Sequence, residues 1–124
     1  MSEQTSFPTY DLYRQGLEWL ERGEGAAAAE VLELAVEQEP AKASLHETLG
    51  RAYFRAGRVA RAREQFERAL ALDPTDDYAN FGVGRCYERE GRLAAAAKHY
   101  KLALALSPRD DYERALARVR QREG

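Results

Sequence analysis

The chain has 124 residues, the size of one ordinary domain, which leaves no room for separate cofactor and substrate lobes. Hydrophobic residues at 44% and charged residues at 32% supply both a core and a hydrated surface, which excludes disorder, and no apolar run approaches the roughly 20 residues a membrane-spanning helix needs. The net charge of −2 lacks the basic excess that drives phosphate binding, so neither nucleic acid nor a membrane is expected as a partner.

Residues Met1 to Tyr10 carry no lysine, arginine or apolar stretch, which predicts neither a secretory signal nor a transit peptide and a cytoplasmic location. A single cysteine, Cys86, cannot close an internal disulfide, and His46 and His99 lie too far apart for any usual zinc spacing, so no metal or cofactor is expected. Arginine outnumbers lysine 16 to 3 and alanine is abundant, a composition that GC-rich coding produces and that suggests a bacterial source.

In chain order, residues 1–8 read as a flexible tail, followed by three similar units at 9–42, 43–76 and 77–110 and a last helix at 111–124. At an offset of 34, Gly16 aligns with Gly50 and Gly84, Gly23 with Gly57 and Gly91, and Pro40 with Pro74 and Pro108. Ala28, Ala62 and Ala96 coincide, as do Ala35, Ala69 and Ala103. A period of this length signals stacked supersecondary units. In the second unit, Leu45, Leu49, Ala52 and Tyr53 fall at helical spacing and predict a helix over Ala43 to Ala56, ended by Gly57. Ala62, Phe66, Ala69 and Leu70 predict a second helix over Val59 to Leu72, stopped by Pro74. Each unit is therefore a helical hairpin. Glycine inside a helix costs about 1 kcal/mol relative to alanine, so the recurrence of Gly16, Gly50 and Gly84 implies close approach of a partner helix.

Tyr112, Ala115, Leu116 and Val119 form an apolar stripe on the last helix, which is expected to cap the stack with Arg114, Arg118, Arg120 and Arg122 largely outward. The alanine runs at Ala26 to Ala29 and Ala94 to Ala97 mark close helix packing. Asp76-Asp77 and Asp110-Asp111 look like paired catalytic carboxylates in isolation, but they precede helices at equivalent positions and read as N-caps. His46 reads as a packing residue, His99 as a surface residue and Cys86, aligned with Ala52, as a small buried one. With no nucleophile elbow, no phosphate-cradling loop and no metal-ligand spacing, the chain is read as a non-enzyme with no catalytic residue.

The repeated residues resemble the tetratricopeptide repeat family, with His46-x-x-Leu49-Gly50-x-x-Tyr53, Ala62-x-x-x-Phe66 and Pro74 in the second unit. His46 stands where the family often has tryptophan. The third unit repeats the pattern as Val83-Gly84-x-x-Tyr87, Ala96-x-x-x-Tyr100 and Pro108, and the first more loosely as Gly16-x-x-Trp19, Ala28-x-x-x-Leu32 and Pro40. The resemblance implies an all-α solenoid of seven antiparallel helices in a right-handed, curved stack whose first helices line a concave groove.

The groove-lining positions not consumed by the hairpin cores include Tyr10, Tyr13, Leu17 and Leu20 in the first unit. They continue as Glu47, Arg51, Phe54 and Arg55 in the second and Tyr78, Phe81, Arg85 and Arg89 in the third. Arg51 and Arg55 are four apart on one helix, and Arg85 and Arg89 repeat that offset, each like-charged pair costing a few tenths of a kcal/mol. Two readings compete: the arginines hold carboxylates of a partner peptide while Tyr13, Leu17, Phe54 and Phe81 hold its apolar side chains, or Glu47, Glu88 and neighbouring acids simply neutralise them. The expected function is a protein-interaction module for an extended or helical segment with acidic and apolar character. The alternative is a self-associating scaffold that assembles through its end faces or capping helix. Family members that clamp the C-terminal carboxylate of chaperones use lysine, asparagine and arginine at positions that fall here on Tyr13, Leu17, Thr48, Tyr78 and Gly82, so that type of binding is not expected.

Overall fold

Three glycines set the rhythm of the chain. Gly23, Gly57 and Gly91 adopt φ of 77°, 80° and 79°, a left-handed backbone that side chains disfavour, and each ends a helix with the same paired hydrogen bonds. Gly57 N–H donates to the Phe54 carbonyl at 3.0 Å and Arg58 N–H to the Tyr53 carbonyl at 2.9 Å, a Schellman end repeated at Gly23 and Gly91.

A computed structural model describes residues 7–124 as α1 (Thr9–Glu21), α2 (Gly25–Gln38), α3 (Ala43–Arg55), α4 (Val59–Leu72), α5 (Asp77–Arg89), α6 (Leu93–Leu106) and α7 (Asp110–Glu123). The described fold is all-α, and α3 and α4 match the predicted spans to within one residue. Most of the expected flexible tail, residues 1–6, lies outside the described residues. Phe7 and Pro8 are tied down: the Gln38 side-chain amide donates to the Phe7 carbonyl at 2.9 Å, and Pro8 caps α1.

Consecutive helices pack as hairpins, and α1 also packs on α3 and α3 on α5, so the first helices of the units line the inner side of the stack. The recurrent mid-helix glycines make this closeness possible. A Cβ on Gly16 would stand 2.5 Å from Leu32, one on Gly50 2.8 Å from Phe66, and one on Gly84 2.6 Å from Tyr100. Phe66 is gripped twice, because a Cβ on Gly82 of α5 would stand 2.6 Å from the same ring. Ala28, Ala62 and Ala96 are fully buried, as are Ala52 and Cys86 where one unit meets the previous one. Glu18, at the position of Ala52 in the first unit, is exposed and pairs with Arg14 at 3.4 Å.

One polar pair recurs in the second and third units. His46 donates from Nε2 to the Pro40 carbonyl at 2.7 Å, and its Nδ1 lies 2.8 Å from the Gln65 side-chain amide. One period on, Asn80 and His99 occupy these two positions with the residue types rearranged, 3.3 Å apart, and one period back they are the apolar Leu12 and Val31. His46 is thus a packing residue as expected, but His99 is half-buried beside Asn80 and Tyr87 rather than on the surface. Burial and the nearby Lys98 lower the His99 pKa, keeping the ring neutral.

The last helix also departs from expectation. Asp76 caps α5 by accepting from Ala79 N–H at 2.9 Å, but α7 begins at Asp110 with the extended Arg109 as its N-cap and no side-chain capping bond. Asp111 instead pairs with Arg109 at 3.4 Å, and Asp77 accepts from the Tyr112 hydroxyl at 2.6 Å, pinning α7 to α5. Tyr112, Ala115, Leu116 and Val119 are buried as the apolar stripe requires, and Arg118 and Arg122 are exposed as expected but also reach back to Glu88.

Candidate functional site

Successive first helices place equivalent positions side by side, so residues one period apart form rows across the concave face. Leu20 from α1, Arg51, Phe54 and Arg55 from α3, and Tyr78, Arg85 and Arg89 from α5 line one cleft of about 500 Å³, with Phe66 and Gly82 at its base. It continues into a second space of about 380 Å³ toward α7, with Phe54, Arg85 and Arg89 common to both and Glu88, Arg118 and Arg122 closing the far end.

Three of the four guanidinium groups rest on aromatic faces. Arg85 and Arg89 lie 4.4 Å and 4.7 Å from the centre of the Phe54 ring, and Arg51 lies 5.5 Å from that of Tyr78. Arg55 runs over Gly23, where a Cβ would stand 2.9 Å from its Nη2. Among the described residues none of these four arginines has a carboxylate within 4.0 Å. Of the acids that the neutralising reading assigned to them, Glu88 is engaged elsewhere and Glu47 is paired with another carboxylate. Glu88 accepts from Arg118 Nε at 2.7 Å and Nη2 at 2.8 Å, from the Tyr100 hydroxyl at 2.7 Å, and from Arg122 at 3.4 Å. The Arg118 hydrogen bonds hold its pKa below the usual carboxylate range. Glu47 sits beside Asp76, and burial together with that neighbouring carboxylate raises its pKa to about 7 against the opposing charge of Arg51, which has no direct ion pair with it.

Several expected groove residues stand apart from the cleft. Tyr10 is exposed at the start of α1, while Tyr13 and Leu17 are half-buried, with Tyr13 packed against the core. Phe81 is only 8% exposed and stacks on Tyr112 with ring centres 4.7 Å apart, so its surface is taken up by α7 rather than open to a ligand. Phe66, Gly82, Arg118 and Arg122 border the two spaces without having been expected to. Phe66 belongs to a second helix and reads as core, but Gly50 and Gly82 let its ring extend between α3 and α5 to the cleft floor.

No group of three or more histidine, cysteine, aspartate and glutamate side chains among the described residues could hold a metal ion. Cys86 is buried, and burial pushes its thiol up to about 12, which keeps it protonated. No helix among the described residues is long and apolar enough to cross a membrane.

A search of the curated proteins found no match. Among solved structures the chain is similar to the first TPR of Spaghetti (RPAP3) bound to the HSP90 peptide SRMEEVD, with 23% identity, TM-score 0.87, and 92% of this chain and 91% of that one covered. It is also similar to the Yersinia enterocolitica type III secretion chaperone SycD in complex with a peptide of the translocator YopD, with 17% identity, TM-score 0.85, and 99% and 100% covered. The Arabidopsis OM64 TPR domain superposes with TM-score 0.88 at 19% identity, covering 91% and 94%. The tetratricopeptide repeat profile matches residues 13–77 and again 47–111, two windows displaced by one period of the glycine pattern. Seven helices in hairpin order with this profile over most of their length establish that the chain belongs to the tetratricopeptide repeat family.

Proposed function

We propose that the protein is a non-enzymatic interaction module whose concave cleft binds a segment of another protein carrying acidic and apolar side chains. The observation that carries this reading is the set Arg51, Arg55, Arg85 and Arg89, with no carboxylate within 4.0 Å among the described residues and with Arg51, Arg85 and Arg89 laid over Tyr78 or Phe54. Four like charges in one cleft disfavour the empty state, and each guanidinium keeps a planar edge for a bidentate carboxylate. Leu20, Phe54 and Tyr78 supply the apolar contact between them. Peptides occupy the related folds of RPAP3 and SycD, which supports a protein segment as the ligand class.

The mode of binding differs from a chaperone-tail clamp. None of Tyr13, Leu17, Thr48, Tyr78 and Gly82 is lysine, asparagine or arginine; Thr48 is buried with its hydroxyl on the Ser44 carbonyl, and Gly82 faces the Phe66 ring. The module acts without a cofactor, in the cytoplasm.

The test is fluorescence anisotropy with a labelled peptide alternating glutamate and leucine, beside a lysine-for-glutamate control peptide. The wild type is expected to bind only the acidic probe. An Arg51→Glu, Phe54→Ala, Arg85→Glu variant, verified as folded by circular dichroism, is expected to lose at least tenfold in affinity. Equal binding by both proteins would remove the cleft from the account.

A further inference from the structure

The outer helices of the three units differ in charge although they occupy equivalent places. From Gly23 to Ala41 the chain has no lysine or arginine but carries Glu24, Glu30, Glu33, Glu37 and Glu39. On α4, Arg61, Arg63 and Arg68 alternate with Glu64 and Glu67, and on α6 the charges are Lys98 and Lys101 alone. Lys98 stands at the position of Glu30, and Lys101 at that of Glu33, so the fold itself does not impose the acidic character of α2.

Two of these glutamates have structural partners: Glu33 accepts from the Tyr53 hydroxyl, and Glu39 lies 3.6 Å from Lys42. Glu30 and Glu37 are exposed and, among the described residues, have no cation within 4.0 Å. Leu34 lies between them on the same helical face and is 50% exposed. An acid, an apolar side chain and an acid along one stripe are the complement of the cleft. Glu30 and Glu37 are roughly 10 Å apart along the helix axis, comparable with the roughly 8–10 Å that separates packed helices in general. A helix crossing the cleft can thus set one glutamate against Arg51 and Arg55, the other against Arg85 and Arg89, and Leu34 over Phe54.

Resting on the reading of the cleft given above, we propose that a second copy of this chain is an occupant of the cleft, inserting the Glu30–Leu34–Glu37 face of its α2 between α3 and α5. The stripe and the cleft lie on opposite sides of one molecule, so the contact is intermolecular. It is also heterologous: each bound copy keeps one stripe or one cleft free, which extends the assembly into a chain or closes it as a ring.

Sedimentation equilibrium from about 1 to 300 µM tests this with three proteins verified as folded: the wild type, Glu30→Arg/Glu37→Arg and Arg51→Glu/Arg85→Glu. The wild-type average mass is expected to rise at least twofold across this range and to fall back in 0.5 M salt, as screening requires. Each double variant alone is expected to stay monomeric, and an equimolar mixture to associate, because the unaltered stripe of the cleft variant can enter the unaltered cleft of the stripe variant. If either double variant fails to fold, glutamine at the same positions replaces it, with loss of association in each as the expected result. A monomeric wild type, or an Arg51→Glu/Arg85→Glu protein that still associates through α2, overturns the proposal. Titrating the same wild-type sample with the labelled acidic peptide separates the two readings. Peptide binding by a monomeric protein removes self-pairing alone, whereas failure to bind removes the acidic-segment reading of the cleft as well.

Discussion

The two ends of the concave face use the same side chain for opposite purposes. Toward α7, Arg118 grips Glu88 through two nitrogens, Arg122 joins it at 3.4 Å, and the Tyr100 hydroxyl completes the carboxylate's shell, so these arginines hold the capping helix to the stack. Toward the middle, Arg51, Arg85 and Arg89 meet aromatic rings, and neither they nor Arg55 meets a carboxylate within 4.0 Å among the described residues. Charge alone does not separate a structural arginine from a recognition arginine; the partner does. A half-buried ion pair with hydrogen bonds on both oxygens stabilises a fold, whereas unpaired like charges on one helix face cost a little and leave donors free.

Substitutions can break this contrast at different depths. Phe66 supports the middle of the face from below, so Phe66→Ala is expected to cost about 3–5 kcal/mol in chemical denaturation, the largest loss of the series. Glu88→Gln removes the charge that Arg118 and Arg122 share and is expected to cost about 1–3 kcal/mol, with α7 amides exchanging faster than those of α3. A Glu88→Gln protein as stable as the wild type would place that cluster with the unpaired arginines.

The two glutamates also titrate in opposite senses. Glu88 has a lowered pKa in the folded state, so its contribution is present above the ordinary glutamate value of 4.5 and is lost as pH falls through the folded value. Glu47 is raised from 4.5 to about 7, so the folded state holds its proton more tightly; its contribution is present below 4.5 and is lost as pH rises toward 7. Glu47→Gln should flatten the decline in stability between pH 4.5 and 7 while leaving the acid limb intact, and thermal melts across that range would read it. Unchanged melting profiles would show that Glu47 and Asp76 do not share a proton.

The smallest effect on stability belongs to the cleft itself. Arg51→Gln is expected to change stability by no more than about 0.5 kcal/mol, because no ion pair is lost and repulsion with Arg55 is relieved. The same change should weaken the acidic peptide several-fold in anisotropy. A stability loss matching that of Glu88→Gln would instead make Arg51 a structural residue.

Much of this architecture was legible in the residues. The glycine and proline columns at an offset of 34 imply helical hairpins, and the mid-helix glycines imply close contact, which the Leu32, Phe66 and Tyr100 side chains supply. Within the site, Arg51, Arg55, Arg85 and Arg89 were readable as a row because their spacing repeats with the period. Phe81 was misplaced because its exposure depends on Tyr112, a residue of another helix that no local pattern pairs with it. His99 was misplaced for a similar reason, since its partner Asn80 is 19 residues away.

The residues alone dictate the repeat, the helix ends and the face that each helix turns inward, because these follow from backbone conformation and apolar spacing over a few turns. Which charges pair is settled once the helices have packed. Glu88 and Arg118 are 30 residues apart, and α7 packing on the third unit brings them together, while the arginines of the middle face have no carboxylate within 4.0 Å among the described residues. Long side chains choose partners by distance after the helices have packed, so their pairing is a property of the assembled stack rather than of any one repeat.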